Sequence, residues 1–144
     1  MLGHLFLSSS AKKCKWAKRF LQHIKSYKKT GVRLREAQLI SPTGELIAQD
    51  GEEIMTLNDV LMLRDIILYE PGCTDVLYLD NLYYCVKLLT DQLIVLFNGS
   101  NYVITCVTET EHTLVVAINA RKLDSDRTIA WILAVAARLQ EKYR

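Results

Sequence analysis

Histidine and cysteine are sparse in this chain, and where they stand they build no reaction centre. The three histidines are scattered, with His4 near the start, His23 among lysines and His112 in a turn-prone stretch. No nucleophile–base set and no zinc-ligand spacing forms around them. The four cysteines, Cys14, Cys73, Cys85 and Cys106, contain no C-x-x-C pair. Neither a metal site nor a disulfide framework is expected, and a reducing compartment fits that usage. Cys85 and Cys106 fall inside apolar strand patterns, where free cysteine packs as a small buried hydrophobe. Glycine is equally thin. Gly44, Gly51, Gly72 and Gly99 each stand alone as turn residues, which excludes a phosphate-cradling loop. No apolar run is long enough to span a membrane, and the opening Met1–Ser10 lacks the leading positive charge and apolar length of a secretory signal. No catalytic residue, metal or cofactor is expected, so function must be carried by surfaces, and a cytosolic protein is the expectation.

Acids are missing from the first quarter. Lys12, Lys13, Lys15, Lys18, Arg19, Lys25, Lys28, Lys29, Arg33 and Arg35 all precede Glu36, the first carboxylate. From Glu45 to Asp80 the balance reverses through Asp50, Glu52, Glu53, Asp59, Asp65, Glu70 and Asp75. This dipolar layout fits either a basic partner-facing side or a solvated helix face. The net charge of only +2 and the lack of aromatic platforms among the bases argue against tracking along nucleic acid.

What the chain does have is apolar residues, half of its 144, enough for one core and one domain. The richest stretch runs Tyr102-Val-Ile-Thr-Cys-Val-Thr108, a turn at Glu109–His112, then Thr113-Leu-Val-Val-Ala-Ile118. Alternation puts Tyr102, Ile104 and Cys106 on one face and Val103, Thr105 and Val107 on the other. The second strand is apolar on both faces, as in a strand covered from both sides. A closing helix over Ile129–Arg138 offers Ile129, Leu133, Ala136 and Ala137 as its inward stripe.

Upstream, Lys13–Lys29 reads as an amphipathic helix whose stripe is Trp16, Phe20, Ile24 and Tyr27, ended by Thr30-Gly31. Arg35–Ile40 and Glu45–Gln49 form a hairpin about Ser41-Pro-Thr-Gly44. Thr56 or Asn58 caps a helix over Leu57–Leu68, and Glu70-Pro-Gly72 breaks the chain. Val76–Leu79, Tyr83–Leu89 and Leu93–Phe97 follow as strands, with turns at Asp80-Asn81, Thr90-Asp91 and Asn98–Asn101. Strands joined by two to four turn residues pair antiparallel. The expected fold is α+β, one domain over residues 12–144 behind a flexible tail at 1–11. Its centre is an antiparallel sheet of six or seven strands, flanked by the N- and C-terminal helices.

The lysine-rich first helix has two readings. Lys15, Lys18, Lys25 and Lys29 beside aromatics would suit an anionic phospholipid surface, phosphoinositides included. Alternatively Trp16, Phe20 and Ile24 pack on the sheet and the lysines face water, which a bare sheet would require. Trp16 and Tyr27 at one end of the chain, with Trp131 and Tyr143 at the other, would line a shallow groove if the terminal helices lie side by side. Proline-rich peptides dock in such grooves.

Trp16 in the first helix, Ala37–Ala48 as a hairpin, Met55–Val60 opening the next helix, Leu79–Val86 as a further hairpin, and Thr108–Ile118 before the closing helix resemble the profilin family. The resemblance spans about residues 14–144 and implies a monomeric actin-binding protein of the cytoplasm and cytoskeleton that modulates actin polymerisation. Carried over by position, the actin surface would comprise Lys87, Asn98, Tyr102, Lys122, Asp124, Arg127 and Thr128. The polyproline groove would comprise Trp16, Phe20, Arg138 and Tyr143. Here Ile47 stands where profilins usually place a second groove tryptophan, and Arg138 where histidine is common. The sequence is also similar in layout to the roadblock (LC7) dynein light chains, which implies instead a dimeric scaffold for motors or small GTPases. In that arrangement Leu57, Leu61, Leu63 and Leu68 would form the dimer helix.

Overall fold

The computed structural model describes residues 15–24, 34–69, 75–99, 101–119 and 125–143. A first helix, α1, is seen over residues 15–24. Then come strands β1 (Leu34–Ile40) and β2 (Leu46–Gly51) and helix α2 (Leu57–Tyr69). Strands β3 (Val76–Leu79), β4 (Leu82–Leu89), β5 (Leu93–Phe97), β6 (Asn101–Val107) and β7 (Thr113–Asn119) follow, and helix α3 (Ser125–Lys142) closes the order. The strands form one 7-stranded sheet in the order β2-β1-β7-β6-β5-β4-β3. Every pair is antiparallel. β3 to β7 thus make a meander, and the β1–β2 hairpin joins it through the β1–β7 pair. The β6–β7 hairpin sits at the centre, as its two-sided apolar pattern requires.

Alternation along the strands sorts the core into two layers. Leu39, Val95, Ile104, Cys106, Leu114, Val116 and Ile118 pack with Ala17, Phe20, Leu21 and Ile24 of α1 and Ile132, Val135, Ala136 and Leu139 of α3. On the opposite face Ile40, Tyr84, Ile94, Leu96, Val103, Val115 and Ala117 pack with Val60, Leu63, Ile66 and Ile67 of α2. One helix therefore covers one face, and the two terminal helices share the other. The faces assigned to Tyr102, Ile104 and Cys106 and to Val103 and Val107 are those observed.

Local signals account for the joints. The Thr56 hydroxyl accepts from the Asp59 amide at 3.2 Å and is the cap of α2, in preference to Asn58. A buried carboxylate, Glu36 on β1, holds the β2–α2 connection. It accepts from the backbone amides of Ile54 (2.9 Å) and Met55 (3.1 Å) and from the side chains of Gln38 (3.0 Å) and Gln49 (3.3 Å). Gly51 adopts φ +92°, and a Cβ there would lie 2.1 Å from the Arg35 carbonyl oxygen, so only glycine fits where β2 ends against β1.

Two expectations are corrected. The inward stripe of α3 is Thr128, Ile132, Val135, Ala136 and Leu139, while Leu133 and Ala137 are exposed and Ile129 is half-buried. The run from Ile129 to Ala137 is apolar nearly all round, so its period alone could not choose a face. Cys85 is exposed and Cys106 buried, although both sit in apolar patterns. Cys85 lies on β4, beyond the reach of the terminal helices. The Tyr27 end of the first-helix stripe, the Thr30-Gly31 and Glu70–Gly72 breaks, Cys14, Cys73 and the 1–11 tail lie outside the described residues.

Candidate functional site

Three features of the described surface offer docking. The first is the α1/α3 side of the sheet where it runs out from under those helices. Register places Val76, Cys85, Phe97 and Tyr102 in one row across β3, β4, β5 and β6, with Tyr78 opposite Tyr83 in a second. Val76, Tyr78, Tyr83 and Leu88 are all exposed, Tyr83 by 72%. The rings pair along the surface, Tyr78 with Tyr83 and Phe97 with Tyr102, each at 4.7 Å between centroids. The Lys87 ammonium stands 5.4 Å from the Phe97 ring centre. A contiguous apolar, aromatic sheet face open to water is the kind of surface that proteins bury against partners.

Of the residues assigned to an actin surface, Lys87 and Tyr102 stand on this face. Asn98 is half-buried and caps the β5–β6 turn, its side-chain oxygen accepting from the Asn101 amide at 2.8 Å. Arg127 is exposed in the first turns of α3. Thr128 is fully buried, so that position points into the core and offers no contact. Lys122 and Asp124 lie outside the described residues. Val76, Tyr78, Tyr83, Cys85, Leu88 and Phe97, on β3, β4 and β5, were not among the residues expected on a docking surface, because an apolar residue in a strand carries no local signal of whether a helix covers it.

The second feature is an aromatic cluster where α1 and α3 meet. Trp16 stacks on Phe20 at 5.0 Å and meets Tyr143 edge-on at 5.9 Å, while Tyr143 stacks on His112 at 3.9 Å. The Lys142 ammonium lies 5.0 Å from the Trp16 ring centre. Burial holds the His112 imidazole below its ordinary pKa, and its Nδ1 lies 2.8 Å from the Thr110 hydroxyl. Trp16, Phe20 and Tyr143 are thus brought together as expected, but their faces are largely occupied by one another, and Phe20 is buried. Ile47 packs against the same core layer. Lys15 and Lys18 are exposed on α1, and Lys25 and Lys29 lie outside the described residues.

The third feature is a pair of concavities along α3. One of about 290 Å³ includes Gln92, Cys106, Glu109, Leu133, Ala137 and Gln140 in its lining. The other, about 200 Å³, runs between the terminal helices and is lined by His23, Ile24, Trp131, Ala134, Val135 and Arg138. Among the described residues no cluster of metal-ligating side chains occurs, and no helix is long and apolar enough to cross a membrane. Burial pushes the Cys106 thiol up to about 11.

The backbone is similar to that of Acanthamoeba castellanii profilin II, with a TM-score of 0.63 at 17% identity over 88% of this chain and 98% of that one. The fold is that of profilin. LokiProfilin1 in its complex with rabbit actin matches this profilin-like chain with a TM-score of 0.59 and 19% identity, over 74% of this chain and 82% of that one. Myxococcus xanthus MglB is similar with a TM-score of 0.52 at 12% identity, over 93% and 89%. No protein-family model matches the sequence, and no curated protein matches it.

Proposed function

We propose that this profilin-like protein is a monomer that binds monomeric actin, or an actin homologue, and modulates its polymerisation in the cytoplasm. The observation that carries the reading is the open sheet face of β3, β4 and β5, with Tyr78, Tyr83, Cys85, Lys87 and Phe97 exposed or half-exposed on it. The likeness to a profilin seen in complex with actin supports the choice of partner. The mechanism involves no bond chemistry. A rigid sheet covers one end of the actin monomer, so the monomer adds to a filament at one end only. Lys87, Asn98, Tyr102, Lys122, Asp124 and Arg127 belong to the proposed contact, with Thr128 beneath it as support.

Proline-rich partners and anionic phospholipid are subsidiary proposals, for the Trp16–Tyr143 end and for Lys15 and Lys18. The competing reading is a roadblock-like dimeric scaffold, which the likeness to MglB keeps in view. Against it, Leu63 is buried and Leu57, Leu61 and Leu68 are partly buried against the sheet-side core, so the leucines assigned to a dimer helix are largely used within the chain.

The test is a titration of monomeric actin, read alongside the rate of filament assembly. Tyr83→Asp with Lys87→Glu should weaken binding at least about tenfold, which is about 1.4 kcal/mol. The pair Lys122→Glu and Arg127→Glu should weaken it in the same direction. Unchanged affinity in both double variants would remove the proposed face.

A further inference from the structure

We propose that the concavity on the flank of α3 turned away from α1 is a recognition slot for one arginine side chain presented by a partner protein. It lies along Leu133, Ala137 and Gln140, whereas Trp131, Ala134 and Arg138 meet α1 on the opposite flank. Its volume of about 290 Å³ is at the lower end of what small-molecule sites offer and ample for one long side chain. The floor is buried Cys106, Val107 and Ala136, and Leu133 and Ala137 form an exposed apolar wall. Two acceptors stand where Glu109 and Gln140 meet. The Gln140 Nε2 donates to the Glu109 carboxylate at 3.3 Å, and the reverse placing of that amide would set two oxygens against each other. The other atom of the amide, Oε1, is buried, and among the described residues it accepts no hydrogen bond. A buried acceptor left open costs free energy that a ligand N–H recovers. Glu109 is exposed, and no lysine or arginine among the described residues pairs with it.

Charge selects the occupant. Glu109 is the only charged side chain in the lining. Asp91 adjoins Gln92 in the β4–β5 turn, Glu111 follows Glu109 in the β6–β7 turn, and Glu141 stands one turn beyond Ala137 on α3, all three exposed. His112, in the same turn as Glu109, is buried against the Tyr143 ring. The bases of this part of α3 face elsewhere. Arg138 lines the opposite flank, and the Lys142 ammonium lies 5.0 Å from the Trp16 ring centre. Carboxylates on every bordering element, with no base turned toward them, favour a cation. A lysine ammonium is a strongly hydrated point charge, whereas the planar guanidinium forks to a carboxylate and an amide oxygen together, and its stem lies against apolar walls. An inorganic cation would leave those walls bare, and among the described residues no cluster of metal-ligating side chains occurs. A phenylalanine would fill the slot but leave the Gln140 oxygen without a donor. Cys106 stands about 13 Å along β6 from Tyr102, so the slot is separate from the proposed actin contact.

The experiment is a nuclear magnetic resonance titration of the intact chain, without actin, using a capped synthetic peptide that carries one arginine between alanines. Saturable shifts are expected at the Gln140 side-chain amide and at the backbone amides of Glu109, Cys106 and Leu133. Citrulline in place of the arginine keeps the shape and loses the charge, and should weaken binding about tenfold. Lysine in its place keeps the charge and loses the fork, and should weaken it about fivefold. Glu109→Lys should lower affinity about tenfold and Gln140→Leu about fivefold, while thermal melting shows the fold kept. Equal binding of the citrulline or lysine peptide, indifference to both variants, or shifts spread over Glu45, Glu52 and Glu53 without saturation would each overturn the proposal. So would the absence of any shift. Tighter binding of a phenylalanine peptide, or concentration-dependent shifts at the slot with no peptide present, would overturn it too, since an apolar anchor or a second copy would then be the occupant.

Discussion

Replacing Glu36 by alanine should destabilise the chain more than any other loss of one polar side chain among the described residues. Glu36 is fully buried and gathers four donors, two of them the backbone amides of Ile54 and Met55. Alanine leaves the Met55 amide orphaned in a buried place and the Ile54 amide nearly so. Gln38 keeps a second acceptor, the Met55 carbonyl at 2.7 Å, and Gln49 is near enough to water to recover. Two stranded amides at about 1–3 kcal/mol each, offset by relief from burying a carboxylate, leave a net loss of about 3 kcal/mol. Glutamine preserves the shape and one acceptor oxygen, so Glu36→Gln should cost about 1–2 kcal/mol. Urea unfolding measures both, as a shift of midpoint at unchanged slope. Burial pushes the Glu36 carboxyl up from its ordinary value near 4.5, with the four donors pulling part of the way back. The folded chain therefore holds that proton to higher pH than the unfolded chain does. The wild type should lose stability relative to Glu36→Gln as pH rises from about 4.5 through the raised value. Alanine and glutamine variants both within about 0.5 kcal/mol of wild type would refute the latch.

Other outcomes follow from the same packing. His112, held neutral by burial, makes the folded chain refuse a proton that the unfolded chain accepts, so stability should fall as pH drops below about 6.5. Urea midpoints across that range should flatten in His112→Phe. Gly51→Ala should cost about 3 kcal/mol or prevent folding, because its Cβ meets the Arg35 carbonyl, whereas Gly99→Ala meets nothing within 4 Å and should cost only the positive-φ penalty of about 1 kcal/mol. Thiol labelling mapped by mass spectrometry should find Cys85 modified in the native state and Cys106 protected until unfolding, since the second is buried with its thiol pushed up to about 11. Early labelling of Cys106 would contradict the helix cover over β6.

The strand boundaries and the central hairpin were legible because alternation, turn residues and two-sided apolar strands are local signals. The cap at Thr56 and the turn at Gly44 were legible for the same reason. What was not legible is width. Two helices side by side, each about 10 Å across, roof about four strands spaced about 4.8 Å apart, and a seven-stranded sheet outruns them. Nothing local to Tyr83 or Cys85 says on which side of that line it falls, so Cys85 on β4 was read as a buried hydrophobe. The face of α3 was ambiguous for a different reason, since Ile129–Ala137 is apolar at almost every angle and only Leu139 and Thr128 beyond it fix the phase. Glu36 carried no signal as a latch, because its partners at 49, 54 and 55 are brought to it by the β1–β2 register.

The most direct test of the central claim is an amide hydrogen-exchange footprint of the intact chain with and without monomeric actin. The account predicts slowed exchange along β4 and β5 and in the first turns of α3, with α2 unchanged. Protection confined to α2, or no footprint at saturating actin, would contradict it.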